Sequence, residues 1–314
     1  MTVSSAAPAA AAPAAAGVGL HRFATLVAVC TFLLVIAGGL VTSTGSALAV
    51  PDWPLSFGQV FPRMEGGVLF EHGHRLIAAT VGALTVVLAV WTSRVEPRRS
   101  VRVFAWTLVG VVILQGVFGG VTVLLRLPDA VSVAHAGLAQ IFFALTVTMA
   151  SVTSPAHLAA RPLALGGARG TGPLTLAAVS FVYAQILLGA IVRHTGAGLA
   201  IPDFPLAFGR LVPEFSNSLI MWQYAHRVGA LVAGLVVAWT AVRTLWRAEG
   251  GRFVLLPAAL LLALLGLQIF LGALTIWSLR AVVPTTLHVA TGSLLLATSV
   301  VLAVRVHHVA GDAA

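Results

Sequence analysis

The 314-residue chain is 59% hydrophobic and only 9% charged, whereas a soluble globular domain carries about 25% charged residues; water is excluded as its main solvent. The formal net charge is +9 and every basic residue is an arginine. These arginines cluster in alternate loops, so the charge reports membrane topology and not a nucleic-acid face.

The first 18 residues, rich in alanine and proline, have no positive leading segment and read as a disordered cytoplasmic tail, 1–18. A bilayer core takes roughly 20 apolar residues per helix. That length predicts eight spans near 22–44, 71–93, 102–125, 130–152, 173–194, 220–245, 254–278 and 283–305. The first doubles as the insertion signal and holds the single cysteine, Cys30, as a small packing residue; no intramolecular disulfide is available. A long loop, about 45–70, leads into the second span, which opens Glu71-His72-Gly73-His74-Arg75. Arg94, Arg98, Arg99 and Arg102 separate it from the third span, with Gln115, and the fourth carries His135. A linker over 153–172, with Arg161 and Arg169, joins the fifth span to what precedes it. A second long loop, 195–219, leads to the sixth span with His226-Arg227; Arg243, Arg247 and Arg252 follow. Gln268 lies in the seventh span and His288 near the start of the eighth, before a short tail, 310–314. The positive-inside rule places the arginine-bearing loops and both termini in the cytoplasm and the two long loops outside, in the plasma membrane.

The chain repeats itself. Thr44–Gly58, including Pro51-Asp52-Trp53-Pro54-Leu55, returns as Thr195–Gly209 at a shift of 151 residues. His74-Arg75 returns as His226-Arg227 at 152, while Gln115, Gly119, Thr122 and His135 return as Gln268, Gly272, Thr275 and His288 at 153. Each copy has four spans, an even number, so both enter the membrane in one orientation. The expected fold class is an all-α integral membrane protein: eight transmembrane helices as two parallel-repeat four-helix bundles, 19–152 and 173–309. Paired small residues, Gly38-Gly39, Gly119-Gly120, Gly189-Ala190 and Gly272-Ala273, read as helix-packing sites, and Gln115, Gln185 and Gln268 are intramembrane amides that need partners.

His74, His135, His226 and His288 fall at the start of even-numbered spans, so all four sit near the outer face. Two imidazoles per copy at matched height make a bis-axial pair, and imidazole is a neutral ligand able to hold haem iron inside an apolar bundle. Zinc fits poorly, because no Cys, Asp or Glu completes a ligand set at both sites. His72 competes with His74, but the repeat aligns His72 with Tyr224 and His74 with His226. His21, His157, His194, His307 and His308 read as interfacial.

The copies differ where Glu71 aligns with Gln223. Three residues before His74 on one helix face, Glu71 stands either beside the first haem or as an N-terminal charge favoured by the helix dipole. Arg75 and Arg227 either pair with haem propionates, the preferred reading, or anchor the membrane interface.

With its eight spans in two repeats, its Pro51-Asp52-Trp53-Pro54-Leu55 loop, its Glu71-x-x-His74-Arg75 motif and its four outer histidines, the chain after residue 18 resembles the haem A synthases of aerobic bacteria and mitochondria. The resemblance implies oxidation of a haem O methyl substituent to a formyl group, giving haem A for terminal oxidases. It implies that His74 and His135 surround the substrate haem O, that Glu71 assists its oxidation, and that His226 and His288 ligate a haem b cofactor, with Arg75 and Arg227 as haem-binding neighbours. A haem-O-supplying enzyme and an electron donor are the implied partners. Many bacterial members carry two cysteines in the first outer loop where this chain has Val50 and Ser56, so the loop is expected to be held by apolar packing of Trp53, Leu55 and Phe57.

Two rivals remain at this point. A membrane di-haem b-type electron carrier would use the same histidines, though transfer across the bilayer wants haems near opposite faces. A transporter suits the parallel repeat but leaves the histidine quartet unexplained.

Overall fold

The computed structural model of the protein describes residues 15–160, 171–247 and 251–310. Most of the expected tail (1–14), the linker core with Arg161 and Arg169, and residues 311–314 lie outside the described residues.

The helices are α1 (Ala15–Ser43), α2 (Gly67–Val95), α3 (Arg99–Leu124), α4 (Asp129–Val152), α5 (Pro155–Ala159), α6 (Gly172–His194), α7 (Ser218–Arg247), α8 (Gly251–Trp277) and α9 (Val282–Ala310). All but α5 are long and apolar enough to cross a membrane, and these eight match the eight expected spans. Among the described residues the only strand-like pairings are two isolated bridges, Ser56 with Gln59 and Ala207 with Arg210.

One expectation needs correction. Helix α1 starts at Ala15, inside the segment expected to be a disordered tail; alanine is the best helix former and extends the apolar helix backwards. The linker contains the short helix α5, which begins at Ser154-Pro155, with the Ser154 hydroxyl accepting from the His157 amide at 3.1 Å. A serine cap followed by proline in the first turn is a legible start signal that the sequence reading passed over.

Helix α1 packs on α2 and α4, and α3 on α2 and α4; in the second half α6 packs on α7 and α9, and α8 on α7 and α9. The halves meet where α1 touches α9 and α4 touches α6 and α9. Polar side chains join them. Gln140 donates to Ser293 Oγ at 2.9 Å, and these two are counterparts at the 153-residue shift. Arg193 on α6 donates to the Gly39 carbonyl at 2.6 Å and to Ser43 Oγ at 2.8 Å on α1. Ser43 also bonds Thr286 on α9 at 3.1 Å.

The close-packed cores occupy the helix halves away from the long loops. In the first half the core runs through Leu20, Val27, Leu88, Leu108 and Met149, with Cys30 packed at its edge; in the second it runs through Leu261, Leu296, Leu302 and Val306. The loop ends of the helices are left for the polar groups.

Candidate functional site

The two long loops fold alike. Asp52 bonds the amides of Phe57 at 2.7 Å and Gly58 at 2.8 Å, and Asp203 bonds those of Phe208 and Gly209, each at 2.8 Å. Phe57 and Gly58 have φ of 53° and 70°, Phe208 and Gly209 of 53° and 73°, so each loop closes a tight turn with two consecutive left-handed residues, a geometry in which glycine at the second position avoids a steric cost. The peptide bonds Trp53–Pro54 and Phe204–Pro205 are cis. The amide of Gly58, then that of Phe57, holds the Asp52 carboxyl below its usual range, and Gly209 and Phe208 do the same for Asp203.

Each loop is tied to the helix that follows it. Glu71 is 5% exposed; its Oε2 accepts from the amides of Leu48 at 3.0 Å and Val50 at 2.9 Å, and its Oε1 accepts from Arg75 at 2.6 Å. Arg75 also donates to the carbonyls of Asp52 (2.7 Å), Leu55 (2.9 Å) and Val50 (3.2 Å). In the second half Gln223 accepts from the Ile201 amide and donates to the Gly198 carbonyl at 2.9 Å. Arg227 donates to the carbonyls of Leu206 (2.7 Å), Asp203 (2.7 Å) and Ile201 (3.1 Å). Both terminal nitrogens of each arginine are thus spent on its loop.

This overturns the expectation that Trp53, Leu55 and Phe57 lock the first loop by apolar packing. They are 40%, 42% and 53% exposed, while Val50 and Ser56 are fully buried. Charge-assisted bonds to loop carbonyls and amides do the holding, because a guanidinium can satisfy several carbonyls at once. Trp53 alone makes a tight apolar contact: a Cβ placed on Gly120 would lie 2.6 Å from its ring. The second half has Ala273 in place of Gly120, and the smaller Phe204 in place of Trp53.

His72 does not stand with the other histidines. It is 4% exposed, and its Nδ1 pairs with Ser56 Oγ at 2.7 Å. At the matching places the second half has Tyr224 and Ala207. His157, expected to be interfacial, is buried, and its ring lies against that of His308 with centroids 3.8 Å apart and planes tilted by 30°. Burial, then the neighbouring His308, Arg98 and Arg305, pushes the His157 imidazole down to about 4.

His74, His135, His226 and His288 share one arrangement. A Cβ added to Gly38 would meet the His74 ring at 3.1 Å, to Gly119 the His135 ring at 3.2 Å, to Gly189 the His226 ring at 3.0 Å, and to Gly272 the His288 ring at 3.1 Å. Each imidazole therefore lies on a glycine of the preceding long helix, in space that any side chain would take. Expected as helix-packing sites, these glycines also make the room for the rings.

The glutamines find their partners here too. Gln185 Nε2 lies 2.9 Å from His226 Nδ1, Gln268 Nε2 3.4 Å from His288 Nε2, and Gln115 Nε2 3.5 Å from His135 Nε2, with a further bond to the His135 carbonyl at 3.1 Å. Among the described residues the buried Oε1 of Gln115, Gln185 and Gln268 and the buried Nδ1 of His74, His135 and His288 have no hydrogen-bond partner. The four imidazoles lie in space that glycines leave open, and the Nδ1 of three of them is unspent on the protein, so these histidines fit a bis-histidine haem in each half. No group of three or more His, Cys, Asp or Glu able to hold a metal ion occurs among the described residues.

Comparison with known proteins points the same way. The COX15-CtaA family model, described as cytochrome oxidase assembly protein, matches residues 64–300. The chain is 34% identical to the haem A synthase of Symbiobacterium thermophilum over 77% of its own length and 80% of that protein. It is 33% identical to the haem A synthase of Halalkalibacterium halodurans over 70% and 77%, and 29% identical to that of Shouchella clausii over 78% and 83%.

Proposed function

The chain belongs to the COX15-CtaA family of cytochrome oxidase assembly proteins, and from that premise we propose that it is a haem A synthase, a membrane oxidoreductase that converts the methyl substituent of haem O to the formyl group of haem A. The observation that carries this reading is the quartet of imidazoles, each laid on a glycine and three of them flanked by a glutamine amide.

We assign His74 and His135 to the substrate haem O and His226 and His288 to a resident haem b, with the chain read as two parallel four-helix bundles, 19–152 and 173–309. A haem held by the histidines of each half would supply the oxidising chemistry. The chain's own residues bind and orient the haem and cover it from solvent. Arg75 and Arg227 hold the loops over the two sites; with their terminal nitrogens on loop carbonyls, a haem propionate would be left the Nε of each. Glu71 is the residue that distinguishes the halves chemically. It sets the first loop and brings a carboxylate to within one helical turn of His74, where the second half has an amide. The orientation is that of a multi-pass plasma-membrane protein with cytoplasmic termini and haem sites near the outer face. A haem-O-supplying enzyme and an electron donor complete the expected partners.

The test is to express the protein in a deletion strain that makes haem O, extract the haems and separate them. Haem A is the expected product. Haem B alone, with no haem O bound and no haem A formed, would leave the di-haem electron carrier as the better reading.

A further inference from the structure

The loop ends of the two halves carry different charge. On α6, Arg193 stands four residues after Gly189, the glycine under the His226 ring, and so lies on the same helix face one turn nearer the long loop. One of its terminal nitrogens donates to the Gly39 carbonyl and to Ser43 Oγ, and Ser43 Oγ also bonds Thr286, two residues before His288. Arg280 lies in the turn between α8, whose Gly272 makes room for His288, and α9, which carries it. A Cβ on Gly198, in the single turn Ala197–Leu199 that follows α6, would lie 3.1 Å from Arg280 Cδ and 3.3 Å from its Nε. The Arg280 side chain thus reaches back to the loop end of α6, and both arginines are half-buried.

The first half has neither cation. At the 151-residue shift Arg193 matches Thr42, whose hydroxyl turns back to the Gly38 carbonyl at 3.3 Å, and at 153 Arg280 matches Leu127. The turns themselves agree, with φ of 58° and 60° at Arg126 and Leu127 and of 53° and 65° at Leu279 and Arg280; Arg126 matches Leu279, and both are exposed. The acids of the second half are spent elsewhere. Among the described residues they are Asp203, engaged by two amides of its own loop, and Glu214, paired with Arg210. Neither Arg193 nor Arg280 makes an ion pair among the described residues; Arg193 hydrogen-bonds through one of its three guanidinium nitrogens there, and Arg280 through none. Two half-buried cations at a membrane boundary, with no carboxylate of the chain against them, call for an anion from outside.

We propose that Arg193 and Arg280 bind the propionates of the second-half haem and so make it a resident group, and that Thr42 and Leu127 leave the first-half haem without this clamp, free to enter as haem O and leave as haem A. A guanidinium suits the task, since its planar fork matches a carboxylate. The inference rests on the assignment of haem to the four histidines.

The test takes purified full-length protein carrying both haems and follows haem transfer to excess apomyoglobin. Extraction tells the two apart: haem O or haem A for the first half, haem B for the second. In the unaltered protein the second-half haem is expected to leave more slowly. Arg280→Leu, which installs the first-half residue, is expected to release it about tenfold faster and to leave release of the first-half haem unchanged. Removing a cation also favours ferric iron, so Arg193→Thr and Arg280→Leu are each expected to shift the second-half reduction equilibrium about tenfold, about 59 mV lower for one electron. Arg193→Lys keeps the charge and is expected to restore most of that shift, which a merely structural tie would not do. Unchanged release and potential in Arg280→Leu would overturn the proposal. So would loss of a copurifying anionic phospholipid with haem release unchanged, which would give these cations to a lipid headgroup. If Arg193→Thr does not accumulate, Arg280→Leu decides. Should His226→Ala and His288→Ala both keep the second-half haem, the haem assignment itself has failed; should both lose it while release ignores the arginines, only the clamp has.

Discussion

Glu71 and Gln223 hold matching loops by matching atoms: the Val50 amide donates to Glu71, and its repeat counterpart, the Ile201 amide, donates to Gln223. An amide therefore suffices as a loop anchor in this architecture, and the carboxylate of the first half is more than the anchor requires.

Glu71→Gln separates the two roles. The variant is expected to keep the first loop in place and both haems bound, while conversion of haem O falls at least tenfold if the carboxylate takes part in the chemistry. Glu71→Ala differs, because it strands a mostly buried Arg75 and two loop amides; breaking a buried pair from one side costs about 3–5 kcal/mol. It is expected to stop conversion, keep the second-half haem and lower the melting temperature. Haem analysis and thermal unfolding in detergent check both, and full activity in Glu71→Gln would remove the carboxylate from the reaction.

Gly189→Ala places a methyl 3.0 Å from the His226 ring, so the ring must give way by a few tenths of an ångström. The expected result is selective loss of the second-half haem, with the first-half haem retained. Gly119→Ala should do the reverse through His135. Haem stoichiometry of the purified variants tests this; retention of both haems in both variants would contradict it.

Gly120→Ala drives a methyl into the Trp53 indole at 2.6 Å, and such overpacking costs about 1–3 kcal/mol. The second half shows the cure, since Ala273 there goes with Phe204. The double variant Gly120→Ala with Trp53→Phe is expected to recover most of the stability lost by Gly120→Ala alone. Melting temperatures of the three variants form a double-mutant cycle, and additive losses would argue against the contact.

Acid should act in two stages. The His157 imidazole is pushed from 6.5 down to about 4, so the unfolded chain binds more protons than the folded one between those values. Its contribution is complete above about pH 6.5 and is lost as the pH falls towards 4. Asp52 and Asp203 lie below their usual 3.8, so their contribution holds above that value and fades below it. Melting temperature against pH is expected to show both declines, and His157→Phe should remove only the upper one.

Much of this was readable from the chain. Eight apolar runs, the repeat and the four aligned histidines are properties of residue order, and a bilayer leaves helices few alternatives. The direction of a side chain is a different matter. An arginine follows the histidine in both halves, Arg75 after His74 and Arg227 after His226, which suggests a haem neighbour; that each guanidinium turns to its loop depends on carbonyls twenty or more residues away. Trp53, Leu55 and Phe57 look like a core in a linear reading, yet they are exposed while Val50 and Ser56 of that loop are fully buried. The glycines at 38, 119, 189 and 272 were visible, but which ring lies on each required the fold.

The bond between Gln140 and Ser293 joins two positions that the duplication makes equivalent. If each half were a separate subunit in a homodimer, symmetry would force glutamine against glutamine or serine against serine at that spot. Fusion into one polypeptide lifts that constraint, and with it the requirement that the two ends of the molecule evolve in step. A substitution such as Glu71 could then be tested by selection in one half alone, with the other half free of it.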